Sequence, residues 1–218
     1  MLFMFNNYFF DLSRTEFLLS NPLKENSSFL PVTVIFAIIL FIVKEVVEAV
    51  KKYRANKRKL IAMKNIISRE CERNLWTIKS LKRVLDKINS LYKEGNEVDV
   101  SFVMHDPSCY FIYSNEKVLE GGKITEVHMD VMEKNLMEAA VLSKPLYEKL
   151  EKACDYLLEL EHVRDSFLNI KKSSEEYKLP LLTSLPKYGL AQLSNIEQSL
   201  NDLYKYCTGN ELKNARLR

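Results

Sequence analysis

Residues 60–95 read LIAMKNIISRECERNLWTIKSLKRVLDKINSLYKEG, with neither glycine nor proline before Gly95. Apolar side chains recur in this stretch every three or four residues, which is the period of an α-helix. The apolar stripe consists of Leu60, Met63, Ile67, Cys71, Leu75, Ile78, Leu81, Leu85, Ile88 and Tyr92. Ile66, Val84 and Leu91 widen it beyond a strict heptad, which favours packing in a bundle over a two-stranded coiled coil. We predict a long helix that ends at Gly95, because glycine commonly follows a helix terminus.

Upstream of this helix lies the most apolar segment of the chain, FLPVTVIFAIILFIV at residues 29–43. Eighteen uncharged residues separate Glu25 from Lys44. As a helix they would reach ~27 Å, close to the ~30 Å thickness of a bilayer's hydrocarbon layer. The alternative is a buried core helix, but a helix without a polar face needs a large core around it. We therefore predict a transmembrane helix over residues 29–48.

Basic residues follow the apolar segment directly. The whole chain has a formal net charge of only +3, yet residues 44–64 hold eight lysines and arginines against two glutamates. We interpret residues 49–59 as a juxtamembrane stalk on anionic lipid headgroups. The predicted headgroup contacts are Lys51, Lys52, Arg54, Lys57, Arg58 and Lys59. The alternative ligand for such a run is nucleic acid, but a basic run beside a span is the usual topology signal, so we predict no nucleic-acid partner.

The same charge asymmetry predicts the orientation. Only Arg14 and Lys24 are basic before the apolar segment. Because basic residues collect on the cytoplasmic side, we expect the N-terminus outside and the C-terminal domain in the cytoplasm, in a single-pass protein of the inner (plasma) membrane. Residues 1–28 are interpreted as an outward-facing interfacial segment. A second span within residues 1–20 is the alternative.

Downstream of Gly95 the helical pattern stops. Residues 98–104 (VDVSFVM) and 109–113 (CYFIY) are rich in β-branched and aromatic residues, and the HDPS between them favours a turn. We predict that residues 96–128 form a small β-hairpin or an ordered loop inserted into the helical domain.

Three further helical patterns complete the chain. A short helix is predicted from about Val131 to Leu142. Asp130 and Glu133 are spaced as its N-cap residue and the reciprocal N3 partner. A longer helix should run to about Lys172. Pro180 and Pro186 are predicted to bracket a connector, and the last helix should run from about Leu190 to Gly209. The predicted fold is thus mainly α, with a transmembrane helix followed by a cytoplasmic antiparallel helical bundle over residues 60–218.

No motif for catalysis or metal binding stands out. His105 lies near Cys109, but nothing else supports a Cys–His dyad, and His128 with Asp130 lacks a third metal ligand at readable spacing. Gly121-Gly122-Lys123 lacks the remaining elements of a phosphate loop and is predicted to be a β-turn. The four cysteines are scattered without a CxxC pair, which favours reduced thiols. We predict no cofactor, no metal and no enzymatic activity.

Polar residues interrupt the apolar stripes at three positions. On a helical projection, Asn74 falls inside the first stripe, Arg164 interrupts the second and Glu197 lies beside the third. Such residues are costly to bury unless they are paired. We hypothesise a buried polar layer of these three residues; the alternative is that they lie at bundle ends and contact water.

The only tryptophan, Trp76, projects opposite the first stripe, together with Arg69 and Arg83. Tryptophan and arginine are enriched among residues that dominate protein interfaces, so we interpret these three as candidate partner contacts. The alternatives are an isolated half-covered ring, or burial of the ring under the predicted hairpin.

The predicted function is a single-pass, membrane-anchored helical interaction or scaffold module, whose cytoplasmic domain binds a protein partner or a second copy. The alternative is a membrane-perturbing effector or toxin-like protein that is triggered through the cytoplasmic domain. A membrane-tethered enzyme is the third class.

Overall fold

The computed structural model describes residues 31–115, 117–173 and 175–213, and the chain divides into two units, Met1–Val50 and Lys51–Arg218. Within the described residues the fold is mainly helical, with one small antiparallel sheet. The elements are α1 (Val32–Lys93), β1 (Asp99–Phe102), β2 (Cys109–Ser114), β3 (Lys117–Lys123), α2 (Asp130–Leu142), α3 (Lys144–Asn169), a 3-10 turn (Ile170–Lys172) and α4 (Glu175–Thr208).

In the first unit, the described residues are Pro31 and the helical residues 32–50 of α1. Among the helices that the structure describes, none is long and apolar enough to cross a membrane. The prediction of a transmembrane helix over residues 29–48 is therefore not supported. In the described helix, the run of uncharged residues that begins at Val32 ends at Val43, because Lys44 and Glu45 are charged. The predicted interfacial segment at residues 1–28 lies outside the described residues.

In the second unit, the predicted stripe of α1 forms the centre of a helical core. Of its ten residues, all except Leu60 and Tyr92 are buried, and these two pack against the core from its edge. The core also takes in residues from the sheet and from α2, α3 and α4. The prediction of a mainly helical bundle around this stripe is confirmed.

Two contacts along α1 show the direction of α4 relative to α1. Lys64 Nζ donates to the carbonyl of Tyr206 (3.4 Å) near one end of α4, whereas Lys82 pairs with Glu197 further back along it. Ascending numbers on α1 thus meet descending numbers on α4, so the two helices are antiparallel. Helix α4 also packs against α3, and α3 against α2.

The sheet lies between α1 and α2 in the chain and has the strand order β1-β2-β3. The predicted hairpin is confirmed as β1 and β2, paired from Asp99↔Tyr113 to Phe102↔Tyr110. One face of the sheet is apolar and covers the end of α3, where the rings of Phe102 and Tyr110 contact Phe167 at centroid distances of 5.4 and 5.6 Å. Such edge-on aromatic contacts join the sheet to the helical core.

The third strand, β3, was not predicted. The prediction of a β-turn at Gly121-Gly122-Lys123 is wrong, because these residues lie within β3. Gly121 pairs with Phe111, and Gly122 pairs with Tyr110. A Cβ on Gly121 would lie 2.8 Å from the Phe111 ring, and one on Gly122 equally close to the Tyr110 hydroxyl. The two glycines therefore make room for aromatic rings that lie across the neighbouring strand.

Two details of the helices also differ from prediction. Pro180 and Pro186 lie inside α4, so the predicted connector between them does not exist and the last helix begins at Glu175. A proline inside a helix costs about 3 kcal/mol, which burial of the intervening Leu182 and Leu185 offsets. Asp130 is the first residue of α2, not its N-cap; Met129 occupies that position without a side-chain bond.

Candidate functional site

The segment that joins β3 to α2 is a polar region with hydrogen bonds to two helices. This 124–129 connector has no helix or strand of its own, so its backbone groups need partners from elsewhere. Two neighbouring residues on α1 and one on α3 supply them: Asn74, Thr77 and Arg164.

Asn74 is fully buried and binds the connector through both atoms of its side-chain amide. Its Nδ2 donates to the carbonyl oxygen of His128 (2.7 Å), and its Oδ1 accepts from the His128 N–H (2.8 Å). An amide side chain matches a backbone donor and acceptor in this way because it carries one of each side by side. The polar position inside the α1 stripe is therefore satisfied by a backbone segment and not by another polar side chain.

Thr77, one turn further along α1, extends the same contact. Its Oγ1 donates to the carbonyl of Glu126 (2.8 Å) and lies 2.8 Å from Oγ1 of Thr125. Since a threonine hydroxyl has one proton, Thr125 is the donor in the second bond. From α3, Arg164 Nε donates to the carbonyl of Thr125 (3.0 Å). The connector is thus held from two helices at once.

The structure brings together two of the three residues of the hypothesised buried polar layer of Asn74, Arg164 and Glu197. Asn74 and Arg164 do meet at the same connector. Glu197 does not join them: it forms an ion pair with Lys82 between α1 and α4, and about a third of its side chain is exposed. Projection on single helices could not separate these cases, since it carries no information about which helix faces which.

Beside the connector lies a cleft of about 470 Å³, whose polar lining includes Asp106, Ser108, Lys123, His128 and Arg164. Asp106 accepts hydrogen bonds from Lys123 Nζ (2.9 Å) and from the Ser108 hydroxyl. These two donors hold the pKa of the Asp106 carboxyl well below its ordinary range. The carboxylate stays ionised near neutral pH, so it stabilises the β1–β2 turn and is a poor general acid.

The thiol of Cys109, which follows Ser108 in the sequence, is not activated. Cys109 Sγ donates to Asp106 Oδ2 (3.4 Å). Partial desolvation, together with this carboxylate, raises the pKa of Cys109. A cysteine nucleophile needs the opposite shift, so the environment of Cys109 gives no support to a dyad with His105. In the described part of the chain, no group of three or more His, Cys, Asp or Glu residues could hold a metal ion.

The other three thiols are also held in the protonated form. Burial raises the pKa of Cys154 and of Cys207 to about 11 and raises that of Cys71 well above its ordinary value. At pH 8, a thiol with a pKa near 11 is only about 0.1% thiolate. We expect iodoacetamide at pH 8 to alkylate Cys154 and Cys207 at least ~100-fold more slowly in the folded protein than in urea.

Peptide mass spectrometry over a time course gives each rate separately, and the urea sample provides the control. Alkylation of Cys109 faster than that of free cysteine would contradict the inactive environment described above.

The candidate partner contacts lie on the outer side of α1. Trp76 is 38% exposed, and Arg69 is exposed on the side of α1 that faces away from the core. The Nε atom of Arg83 lies 2.6 Å from Glu120 Oε1 on β3. The sheet therefore reaches the Arg83 end of this face, but more than a third of the tryptophan stays open to solvent. The predicted headgroup contacts between Lys51 and Lys59 are all exposed on α1.

No protein-family model, curated protein or solved structure matches this chain.

Proposed function

We propose that this protein is a membrane-associated helical interaction module. In this proposal the apolar part of α1 lies in a bilayer, the basic segment that follows it contacts anionic headgroups, and the bundle presents a protein-binding face on the cytoplasmic side.

The observation that carries the proposal is the exposure of residues 32–50 of α1. This stretch has thirteen large apolar residues, and each is between 38% and 68% exposed. Soluble proteins rarely leave a contiguous apolar surface of this kind uncovered. A protein partner covers one or two sides of a helix, whereas lipid covers all of them. Exposure on every side therefore favours lipid over a protein groove.

The charge distribution supports the same location. Six basic side chains lie between Lys51 and Lys59, directly after the apolar stretch, and each basic residue near an anionic bilayer contributes about 1 kcal/mol of attraction. Because basic residues favour the cytoplasmic side, the bundle would face the cytoplasm of the inner (plasma) membrane and the N-terminus would face outward.

The uncharged run Val32–Val43 covers ~18 Å as a helix, compared with ~30 Å of hydrocarbon. A single pass would therefore also need uncharged residues that precede Val32 in the sequence, and the long aliphatic stem of Lys44, which can extend toward the headgroups.

The proposed protein-binding face is centred on Trp76, with Arg69 and Arg83 on either side. A tryptophan that is more than a third exposed, between two arginines, has the composition of an interface centre. The occupant would be a cytoplasmic protein or a second copy of this chain, whose local concentration is raised when both are confined to one membrane.

The direct test is flotation with vesicles of mixed phosphatidylcholine and phosphatidylserine. We expect the full chain to float with the lipid and to resist extraction at high pH, because buried apolar side chains keep it there. A chain lacking residues 1–50 should float weakly and only at low salt, since its basic segment alone holds it. A full chain carrying Phe36→Asp, Ile39→Asp and Val43→Asp is the matched control, because it keeps the length and the basic segment.

Recovery of the full chain in the dense fraction would refute the membrane proposal. Growth arrest and dye leakage on expression of the full chain, absent from the triple-aspartate variant, would instead favour the effector alternative.

A further inference from the structure

We propose that the bundle makes a second contact with the bilayer, through the corner between α2 and α3. Two exposed apolar side chains there, Met137 and Val141, would insert among anionic lipid headgroups. This inference rests on the proposed function, since it requires a bilayer beside the basic segment of α1.

The first observation is an apolar pair on the outer face of α2. Met137 is 80% exposed and Val141 is 85% exposed, although α2 buries Met132 and Ala139 on its other side. The two exposed residues are four apart, so they lie next to each other on one helical face. Among the described large apolar residues, only Met104 is exposed to a similar extent.

The second observation is the position of this pair within the Lys51–Arg218 unit. Asn74 of α1 binds His128 just before α2, whereas Lys59 of α1 forms an ion pair with Glu138 near the end of α2. Helix α2 therefore runs antiparallel to α1, toward the basic segment. Val141 lies three residues beyond Glu138, which places it ~4.5 Å further in that direction.

The third observation is the charge around the corner. The side chain of Lys144, directly after the α2–α3 junction, is 83% exposed, with Glu148 3.7 Å away as an exposed partner. On α1, Lys59 reaches Glu138, the residue after Met137, and the other five basic residues of the segment lie within the eight residues before Lys59. An exposed apolar pair beside a basic segment has the chemistry that binds an anionic bilayer surface.

The same charges argue against a second copy of this chain as the occupant. In a two-fold symmetric contact through this corner, the same surface of each of the two copies would face the other. The basic segments of the two copies would then approach each other and repel. An anionic lipid surface pairs with those charges instead.

The lone tryptophan of the chain makes a direct experiment possible. In a full-length Trp76→Phe background, Val141→Trp places a single fluorophore at the corner; at 85% exposure this substitution has room. We expect acyl-chain-brominated phosphatidylcholine, mixed with phosphatidylserine, to quench this tryptophan by about half, because its side chain reaches the lipid. Quenching should decrease in vesicles without phosphatidylserine and in high salt.

Two controls report on other parts of the same unit. The unmodified chain reports on Trp76, which lies seventeen residues, or ~25 Å, along α1 from Lys59. In the Trp76→Phe background, Leu158→Trp reports on an exposed position in the middle of α3. Neither control should be quenched by the brominated lipid.

The possible outcomes separate this inference from the proposed function. Flotation of the chain without quenching at position 141 would overturn the second contact and leave the membrane proposal standing. Equal quenching at all three positions would also overturn it, because the contact would not be specific to the corner. Failure of the full chain to float would overturn both. A blue shift at position 141 that grows with protein concentration without lipid would show that a second copy covers the face.

Discussion

Replacing Asn74 with alanine is expected to lower the free energy of unfolding by about 2–4 kcal/mol. The substitution leaves the N–H and the carbonyl of His128 without their side-chain partners at the fully buried position of Asn74. Each unsatisfied buried polar group costs about 1–3 kcal/mol, so two groups on one residue give a large effect. Urea unfolding of the Lys51–Arg218 unit, followed by circular dichroism, measures it.

Asn65→Ala is the matched control, since Asn65 is an exposed asparagine on the same helix. Its effect should stay within about 0.5 kcal/mol. Equal stability of the two variants would mean that the 124–129 connector does not depend on Asn74.

Asn74→Asp adds a test of the hydrogen-bond geometry by pH. A protonated aspartic acid can both donate and accept at His128, whereas its carboxylate can only accept. Burial would raise the pKa of this aspartate in the folded state above its unfolded value of about 3.9. Its stabilising contribution is then complete below pH ~4 and is lost as the pH rises through the folded-state pKa. The difference in stability from the unmodified protein should therefore widen from pH 4 to pH 7.

The burial of Asn74 could be predicted from the sequence, but its hydrogen-bond partner could not. A helical projection shows which side chains share a face, and the apolar stripe on that face turned out to be buried. The partner is a backbone segment 54 residues later, and backbone donors and acceptors are the same in every sequence. The hypothesised polar layer already grouped Arg164 with Asn74, but the backbone segment that both side chains bind became evident only from the packing of α1 and α3.

Strand β3 was missed for a related reason. Its sequence, KVLEGGK, has two glycines and little alternation, and nearly all of its residues are exposed. Nothing intrinsic to such a segment favours a strand. It forms because β2 offers a hydrogen-bonding edge, and because Gly121 and Gly122 leave space for the rings of Phe111 and Tyr110. Those are tertiary causes that single-segment patterns do not report.

At Pro180 and Pro186 the sequence carries a clear local signal, in contrast to β3, but that signal gives the wrong prediction. Proline is a strong local signal against a helix interior, and here the core overrides it. Leu182, Leu185 and Pro186 itself are buried, so continuation of α4 across both prolines places apolar surface against the core.

The exposed pair Met137 and Val141 was predictable in part from the sequence. The two residues are four apart, so they share one face of α2, opposite its buried residues. The location of the pair beside the basic segment required the Lys59–Glu138 contact.

Gly189→Leu is expected to destabilise the protein by about 3 kcal/mol or more. Gly189 lies where α4 meets α1 and α3. A Cβ at this position would be 2.6 Å from Cδ1 of Leu85 and 3.2 Å from Cγ1 of Val163. Both neighbours are fully buried, so neither can move aside without displacing the core. Leucine favours a helix over glycine by roughly 1 kcal/mol, so any loss of stability must come from packing and not from helix propensity.

Three companion variants show whether close helix contact is the cause. Ala191→Leu adds the same side chain at an exposed position two residues along α4, and its effect should stay within about 0.5 kcal/mol. Gly189→Ala adds only the Cβ and should cost about 1–3 kcal/mol, reduced by its gain in helix propensity. Leu85→Ala removes the nearest obstructing atoms, so the double variant Leu85→Ala/Gly189→Leu should be more stable than the two single effects predict when added. Strict additivity in that double-mutant cycle would mean that Leu85 and residue 189 do not touch, and the packing of α1 against α4 would then differ from the arrangement described above.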